Sequence, residues 1–272
     1  MIERIHSLQH APQIELRWQT SRRENPRMFR QSLGFRLGAN ENTRDMQWDW
    51  LFNAASAQPV GGGIATVRFY TGENAKGAFC GIVAVGREAC ERLSASILHL
   101  LPAVRELGVV GQPVVEYDQV WIRPDVPQRF RLQTVVLTRV RGNVDFYRSL
   151  RADPEPLRPF IMDAVANGIN RQAVRLGLEN VPLEPKDIVV EDIGELGSQP
   201  VVKSGGEGMV SRLTQAIVTV PRRLNGDWRV GGLLTYGNGR IAPVLAERHY
   251  RQTGIHRPYP RARMSDGVEI GA

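Results

Sequence analysis

Two segments with helical periodicity lie among segments that read as β-strands, and this alternation limits the fold more than any other feature. Residues 87–101 carry apolar side chains at helical spacing, and residues 154–177 form a second helix-like segment that opens on prolines and closes at Gly177. The predicted strands cover residues 13–18, 61–72, 77–86, 113–122, 130–142, 186–193 and 213–221. This order of elements predicts an α+β fold with a ferredoxin-like (RRM-like) domain in each half.

The predicted domains meet at a segment that contains two prolines. The expected units are an N-terminal ferredoxin-like domain over 1–128, a C-terminal one over 129–247 and a basic C-terminal tail over 248–272. Pro124 and Pro127 predict a connection outside any strand, and Pro102 predicts the end of the first long helix. Residues 225–240 begin with an Asn-Gly turn signal and end in a glycine-rich loop.

The net charge of +7 is concentrated at the two ends of the chain. Residues 1–36 and 240–272 carry the whole excess, whereas residues 37–239 are balanced. All but three of the 35 basic residues are arginine, whose planar fork can hold a phosphate through two hydrogen bonds and can stack on a base. The distribution predicts a localised site for a polyanion such as RNA. A GC-rich genome is an alternative source of the arginine bias.

The sequence lacks the patterns of several common classes of protein. It has no apolar run long enough to cross a membrane and no secretory signal, so we expect a cytoplasmic protein with no membrane partner. It lacks the zincin, P-loop, nucleophile-elbow and dinucleotide-binding motifs, so we expect no metal and no cofactor. Cys80 and Cys90 are expected to be buried free thiols, and His99 a packed core residue.

Arginine is densest in residues 20–36, which read TSRRENPRMFRQSLGFR. The spacing of Arg27 and Arg30 predicts that both lie on one face of a helix, and the Gly34-Phe35 step predicts a turn before Arg36. A second basic segment follows Arg240, where tyrosines interleave with arginines as in proteins that stack on unpaired bases.

The N-terminal arginine segment and the glycine-rich turn before Arg240 resemble those of the CRISPR repeat-RNA processing endoribonucleases of the ferredoxin-like repeat-associated (RAMP) family, most closely its type IV branch. The resemblance lies in the N-terminal arginine segment and in VGGLLTYGNGR, residues 230–240, and the order of elements extends it over most of the chain. It implies a metal-independent endoribonuclease in which a ribose 2′-hydroxyl attacks the adjacent phosphate. Many relatives carry a histidine after the first strand, where this chain has Ser21, Arg22 and Arg23. The difference implies that arginines stabilise the developing charge.

The resemblance also implies which arginines act and what they bind. Arg23, Arg36 and Arg240 are expected to line the cleavage site. The residues expected to grip the repeat hairpin are Arg22, Arg27, Arg30, Arg222, Arg223, Arg248 and Arg251. The implied partners are the stem-loop of CRISPR repeat RNA and other subunits of a type IV-like effector complex, in which the protein stays bound to its mature crRNA. Two alternatives remain open: a non-catalytic RNA-binding subunit of such a ribonucleoprotein, and a protein scaffold with an arginine bias.

Overall fold

Eight strands and five α-helices make up the described part of the chain. The computed structural model describes residues 9–21, 25–40, 43–44, 46, 48–52, 66–137, 144–178, 182–203, 206–232 and 239–244. The helices are α1 (Pro26–Ala39), α2 (Asp49–Phe52), α3 (Arg87–Arg105), α4 (Val144–Ala152) and α5 (Arg158–Arg175). The strands are β1 (Ala11–Thr20), β2 (Val67–Asn74), β3 (Gly77–Val85), β4 (Val109–Leu137), β5 (Val189–Asp192), β6 (Glu195–Lys203), β7 (Gly206–Asn225) and β8 (Ile241–Pro243).

All eight strands join one antiparallel sheet, which confirms the predicted α+β class. The strand order is β2-β3-β1-β4-β7-β5, with β6 paired to β7 and β8 paired to β4. The first part of the chain runs strand, helix, strand, strand, helix, strand, which is the ferredoxin-like order of elements. The second part continues from β4 through α5 to the antiparallel strands β5, β6 and β7.

The long strand β4 connects the two halves of the sheet. It pairs with β1 as far as Val120 and with β7 from Trp121 onward. The expected connection over 123–129 is therefore wrong, because these residues continue the strand. The register shifts between Pro124 and Gln128, so the segment bulges out of the regular ladder, which is where a strand tolerates proline. The division at residues 128 and 129 stays a prediction, and the change of pairing partner lies a few residues before it.

The first half of the sheet has two faces with different roles. On the face that we call the helix face, Ile14, Leu16 and Trp18 of β1 pack in a core with residues of α1 and α3. The opposite face, called the cleft face below, carries Gln13 and Glu15, because successive side chains of a strand alternate. A second core joins apolar residues of the cleft face to those of the second half, including α5.

Helix α5 confirms the second predicted helix. A 3-10 turn over Glu155–Leu157 leads into it, and its buried side chains include Ile161, Val165 and Ile169 at helical spacing. These residues pack against the second half of the sheet in the second core.

Helix α3 confirms the first predicted helix but not its predicted end. Pro102 lies inside the helix, which continues to Arg105. The carbonyl that Pro102 leaves without its helical donor belongs to Leu98, which is 77% exposed, so water can reach that turn. The prediction for His99 is wrong, because Leu93 and Leu100 lie on the buried side of the helix whereas His99 is exposed.

The remaining expectations from composition concern thiols and membrane spans. Cys80 and Cys90 are buried and free, as predicted, and burial raises the pKa of Cys90 to about 11. In the described part of the chain, no helix combines the length and the apolar character that crossing a membrane requires.

Candidate active site

A buried carboxylate, Asp227, lies where the first and last parts of the chain meet. It follows β7 after a turn in which Gly226 adopts a φ of 88°, a conformation that favours glycine. Its Oδ2 lies 2.7 Å from Nη1 of Arg68 on β2 and 3.0 Å from Nε of Arg229. Nε of Arg240 lies 3.7 Å from its Oδ1. Three arginines from two distant parts of the sequence therefore surround one carboxylate.

Two glutamines complete the hydrogen bonding around Asp227. Gln172 of α5 accepts from Arg68 Nη2 at 3.0 Å and from the Arg229 amide at 3.2 Å, and its own amide donates to the Asp227 carbonyl at 2.8 Å. The Asp227 amide donates to Gln13 of β1 at 2.7 Å. Buried charges need such partners, so the network fixes the second half of the chain against β1 and β2.

The three arginines decide the charge state of Asp227. Burial alone would raise the pKa of Asp227, but Arg229, Arg68 and Arg240 lower it by more, and the net pKa lies well below the ordinary value. Burial lowers the pKa of Arg68, while Asp227 raises it. Asp227 is therefore an anchor for guanidinium groups and not a proton carrier at neutral pH.

Arg240 is the member of this group that reaches solvent. Its side chain is 40% exposed, whereas those of Arg68 and Arg229 are buried. An isolated β-bridge pairs the backbone of Arg240 with that of Arg229. The Arg240 carbonyl accepts a hydrogen bond of 3.0 Å from the Gln133 amide. Its guanidinium lies 5.9 Å from the ring centroid of Tyr70, within range of a cation–π contact. Backbone pairing, stacking and Asp227 thus hold the Arg240 side chain in one place.

Arg240 borders a cleft of about 280 Å³ between the two halves. The charged residues that line the cleft are Glu15, Glu116, Asp118, Asp227 and Arg240. Glu15 accepts a hydrogen bond from the Tyr70 hydroxyl, and Arg17 lies 2.6 Å from Glu116. Burial and then Glu15 raise the pKa of Tyr70 far above its usual range, so the phenol stays protonated and acts as a donor. The cleft therefore offers one arginine donor and the carboxylates of Glu15, Glu116 and Asp118, and the Tyr70 hydroxyl donates to Glu15.

Sequence reasoning missed Asp227, Glu15 and Tyr70. A signal for Glu15 was present, because the alternation of residues 13–18 places it on the same face as Gln13. Nothing in the sequence brings Tyr70 or Arg68 to residues 227–240, since more than 150 positions separate them along the chain.

The arginines of α1 lie on the other side of the sheet. Arg27 is exposed, and Arg30 donates to the Phe52 carbonyl and lies 5.6 Å from the centroid of the Phe52 ring. Arg36 pairs with Glu106 at 3.0 Å. The expected turn before Arg36 is wrong, because Gly34 and Phe35 continue the helix.

The structure does not bring Arg36 and Arg240 together. Helix α1 packs on the helix face through Phe29, Leu33 and Leu37, whereas Arg240 contacts Tyr70 on the cleft face. Arg22, Arg23, Arg248 and Arg251 lie outside the described residues, as does the tail over 248–272.

Arg222 and Arg223 lie where β7 pairs with β4. Arg222 is opposite Pro124 and donates to the Pro221 carbonyl at 2.8 Å. Arg223 is opposite Arg123 and is exposed. Among the described residues, no three His, Cys, Asp or Glu side chains are grouped so as to hold a metal ion.

The comparisons with known proteins identify the fold. No protein-family model matches the sequence, and no curated protein does either. Among solved structures, the chain is similar to Csf5, a CRISPR-Cas type IV Cas6 crRNA endonuclease, with 18% identity and a TM-score of 0.55 over 87% of this chain and 100% of that one. A Cas6b structure has 10% identity and a TM-score of 0.56 over the same shares of the two chains. The fold of this chain is therefore that of the Cas6 CRISPR endonucleases, as the resemblance in sequence predicted.

Proposed function

We propose that this protein is an endoribonuclease that binds the stem-loop of CRISPR repeat RNA and cuts it to mature crRNA. The observation that carries the proposal is the shared fold, which extends over the whole length of the type IV crRNA endonuclease. The exposed guanidinium of Arg240, held in a cleft between the two halves, adds a group suited to a phosphate.

The proposed reaction needs no metal ion. The 2′-oxygen forms a bond to phosphorus while the bond from phosphorus to the 5′-oxygen breaks, which leaves a 2′,3′-cyclic phosphate and a 5′-hydroxyl. The 2′-hydroxyl loses a proton and the 5′-oxygen gains one. Arginine is a poor base, so its role in this step is to orient the phosphate and stabilise its developing charge. Of the cleft carboxylates, Glu15, which is hydrogen-bonded to Tyr70, Glu116 and Asp118 are proposed to accept the proton, whereas Asp227 stays ionised.

We propose Arg240 and Arg23 as donors to the reacting phosphate and keep Arg36 as the third candidate. Because Arg36 is on the helix face, a role for it requires RNA that reaches around the edge of the sheet. Arg22, Arg27, Arg30, Arg222, Arg223, Arg248 and Arg251 are proposed to hold the repeat hairpin. We further propose that the protein keeps its product within a type IV-like effector complex.

A cleavage assay in EDTA tests the proposal. Purified protein and a repeat-bearing transcript should give a fragment ending in a cyclic phosphate under single-turnover conditions. A transcript with a 2′-deoxy nucleotide at the cleavage position should bind but stay intact. Tight binding without cleavage would instead support a non-catalytic RNA-binding subunit. Affinity that does not fall with added salt would contradict both, because phosphate contacts release counterions.

A further inference from the structure

A tryptophan with two arginines lies on the exposed face of the second half of the sheet. Trp121 is the first residue of β4 that pairs with β7, and Arg123 and Arg223 are directly opposite each other across these two strands. The Arg123 guanidinium lies 5.1 Å from the centroid of the Trp121 ring, and that of Arg223 lies 6.0 Å from it. Both arginines are exposed, and the indole is half-buried.

Among the described residues, the two opposed arginines have no acidic partner. Like charges directly opposite on paired strands destabilise a sheet. In the described part of the chain, neither Arg123 nor Arg223 makes an ion pair with a carboxylate. Arg129, on the same strand and also exposed, differs in this respect, because its guanidinium makes hydrogen bonds of 2.9 and 3.1 Å to Glu191. Among the described side chains, Arg129 thus has an acidic partner in Glu191 and the opposed pair has none.

The contact with Trp121 leaves both guanidiniums able to bind. A guanidinium that lies over an aromatic ring uses its face, and its N–H groups remain directed outward in the guanidinium plane. Each of the two forks presents N–H donors that suit phosphate oxygens, and the common ring limits the number of side-chain conformations that binding must freeze.

We propose that Trp121, Arg123 and Arg223 form a phosphate clamp that holds the backbone of bound RNA, with Trp121 as the positioning residue. This inference rests on the proposed function for the identity of the polyanion. An RNA backbone fits the site because it brings one phosphate per nucleotide to an exposed strand surface and requires no pocket.

The test is the salt dependence of binding to repeat RNA that carries a 2′-deoxy nucleotide at the cleavage position. The double variant Arg123→Ala/Arg223→Ala should bind roughly tenfold or more weakly near 0.1 M salt, and the slope of log K against log salt should fall by about 0.7 to 0.9 for each phosphate that is no longer neutralised. Arg129→Ala is the matched control, because it removes an exposed arginine already paired with Glu191, and it should keep the slope of the parent protein.

Two variants separate the positioning role of Trp121 from a role in folding. Trp121→Leu should weaken RNA binding, as the double variant does, because the two guanidiniums lose their contact with an aromatic ring. Trp121→Phe should restore most of the affinity, since an aromatic face returns. Thermal unfolding of each variant checks that the sheet is intact. Equal binding by Trp121→Leu and Trp121→Phe would contradict the positioning role.

The outcomes distinguish the clamp from the proposed function. If the parent protein cuts and binds RNA and the double variant binds it with the same affinity and the same salt dependence, the clamp is wrong and the proposed function stands. A loss as large for Arg129→Ala would overturn it too, because general charge would then explain the effect. Parent protein that binds no repeat RNA would contradict the proposed function itself. A double variant that loses affinity for polyglutamate, an acidic peptide, while its RNA binding is unchanged would overturn the assignment to RNA.

Discussion

Asp227 is the carboxylate that neutralises the buried guanidiniums of Arg68 and Arg229. Its replacement by alanine leaves Arg68 and Arg229 buried without their carboxylate. We expect Asp227→Ala to lower the free energy of unfolding by about 3–5 kcal/mol, the usual cost of removing one partner from a buried ion pair. Urea unfolding measures the change. Glu191→Ala, which removes an exposed partner of Arg129, is the control and should have a far smaller effect.

The low pKa of Asp227 predicts a pH dependence of stability. In the unfolded chain an aspartate takes up a proton near pH 4, as ordinary aspartates do, whereas folded Asp227 stays ionised to lower pH. Below about pH 5 the unfolded state therefore binds more protons than the folded state. The contribution of Asp227 to stability is full above that pH and is lost progressively as the pH falls below it. Asp227→Asn should be less stable at neutral pH and should lose stability less steeply on acidification. Parallel curves of unfolding free energy against pH would contradict this assignment.

Arg240 and Arg36 give a direct test of which face of the sheet carries the chemistry. We expect Arg240→Ala to slow single-turnover cleavage by roughly 100- to 1000-fold, the typical loss for one preorganised donor, with a much smaller change in RNA affinity. Arg36→Ala should slow it less, because Arg36 pairs with Glu106 on the helix face. Arg92→Ala, which removes an exposed arginine of α3 that pairs with Glu88 at 2.8 Å, controls for general charge. Equal losses at Arg36 and Arg240 would show that the RNA contacts both faces.

At the scale of elements, two helical glycines have opposite expected effects. A methyl group on Gly168 of α5 would lie 2.8 Å from the Cα of Val230, so the helix can approach that segment only with glycine there. We expect Gly168→Ala to destabilise the protein by about 1–3 kcal/mol through overpacking. Gly38→Ala in α1, where nothing lies within 4 Å of the added carbon, should stabilise it by about 0.5–1 kcal/mol. Thermal unfolding of both variants compares them, and a stabilised Gly168→Ala would refute the close approach.

Strand β4 and helix α3 show why proline misled the interpretation of single elements. Pro124 is the last residue before the pairing of β4 with β7 shifts register, which is where a strand tolerates proline. Pro102 lies in the last turns of α3, where it and Leu98 are exposed, so water can reach this part of the helix. The sequence shows that proline has no backbone N–H to donate. Only the structure shows whether a hydrogen bond is required at that position.

At the scale of the whole molecule, the two halves share a strand, a core and a charge network. β4 pairs with both halves, the second core includes Val83 and Val85 of the first half, and Asp227 binds Arg68 across the join. We therefore expect one cooperative unfolding transition. Urea curves followed by far-UV circular dichroism and by tryptophan fluorescence should coincide. Two separated transitions would show that the predicted domains 1–128 and 129–247 are stable independently.

The sequence alone determined the α+β class, both long helices and the resemblance to CRISPR RNA endonucleases, because hydrophobic periodicity and local turn chemistry are properties of neighbouring residues. It also marked Arg240 as a candidate. Only the tertiary structure decided that Arg240 meets Tyr70, Glu15 and Asp227, while Arg36 lies across the sheet from them. The physical reason is that the site forms from strand pairing and buried ion pairs between residues far apart in the chain, and no local pattern encodes which distant partner a buried charge will find.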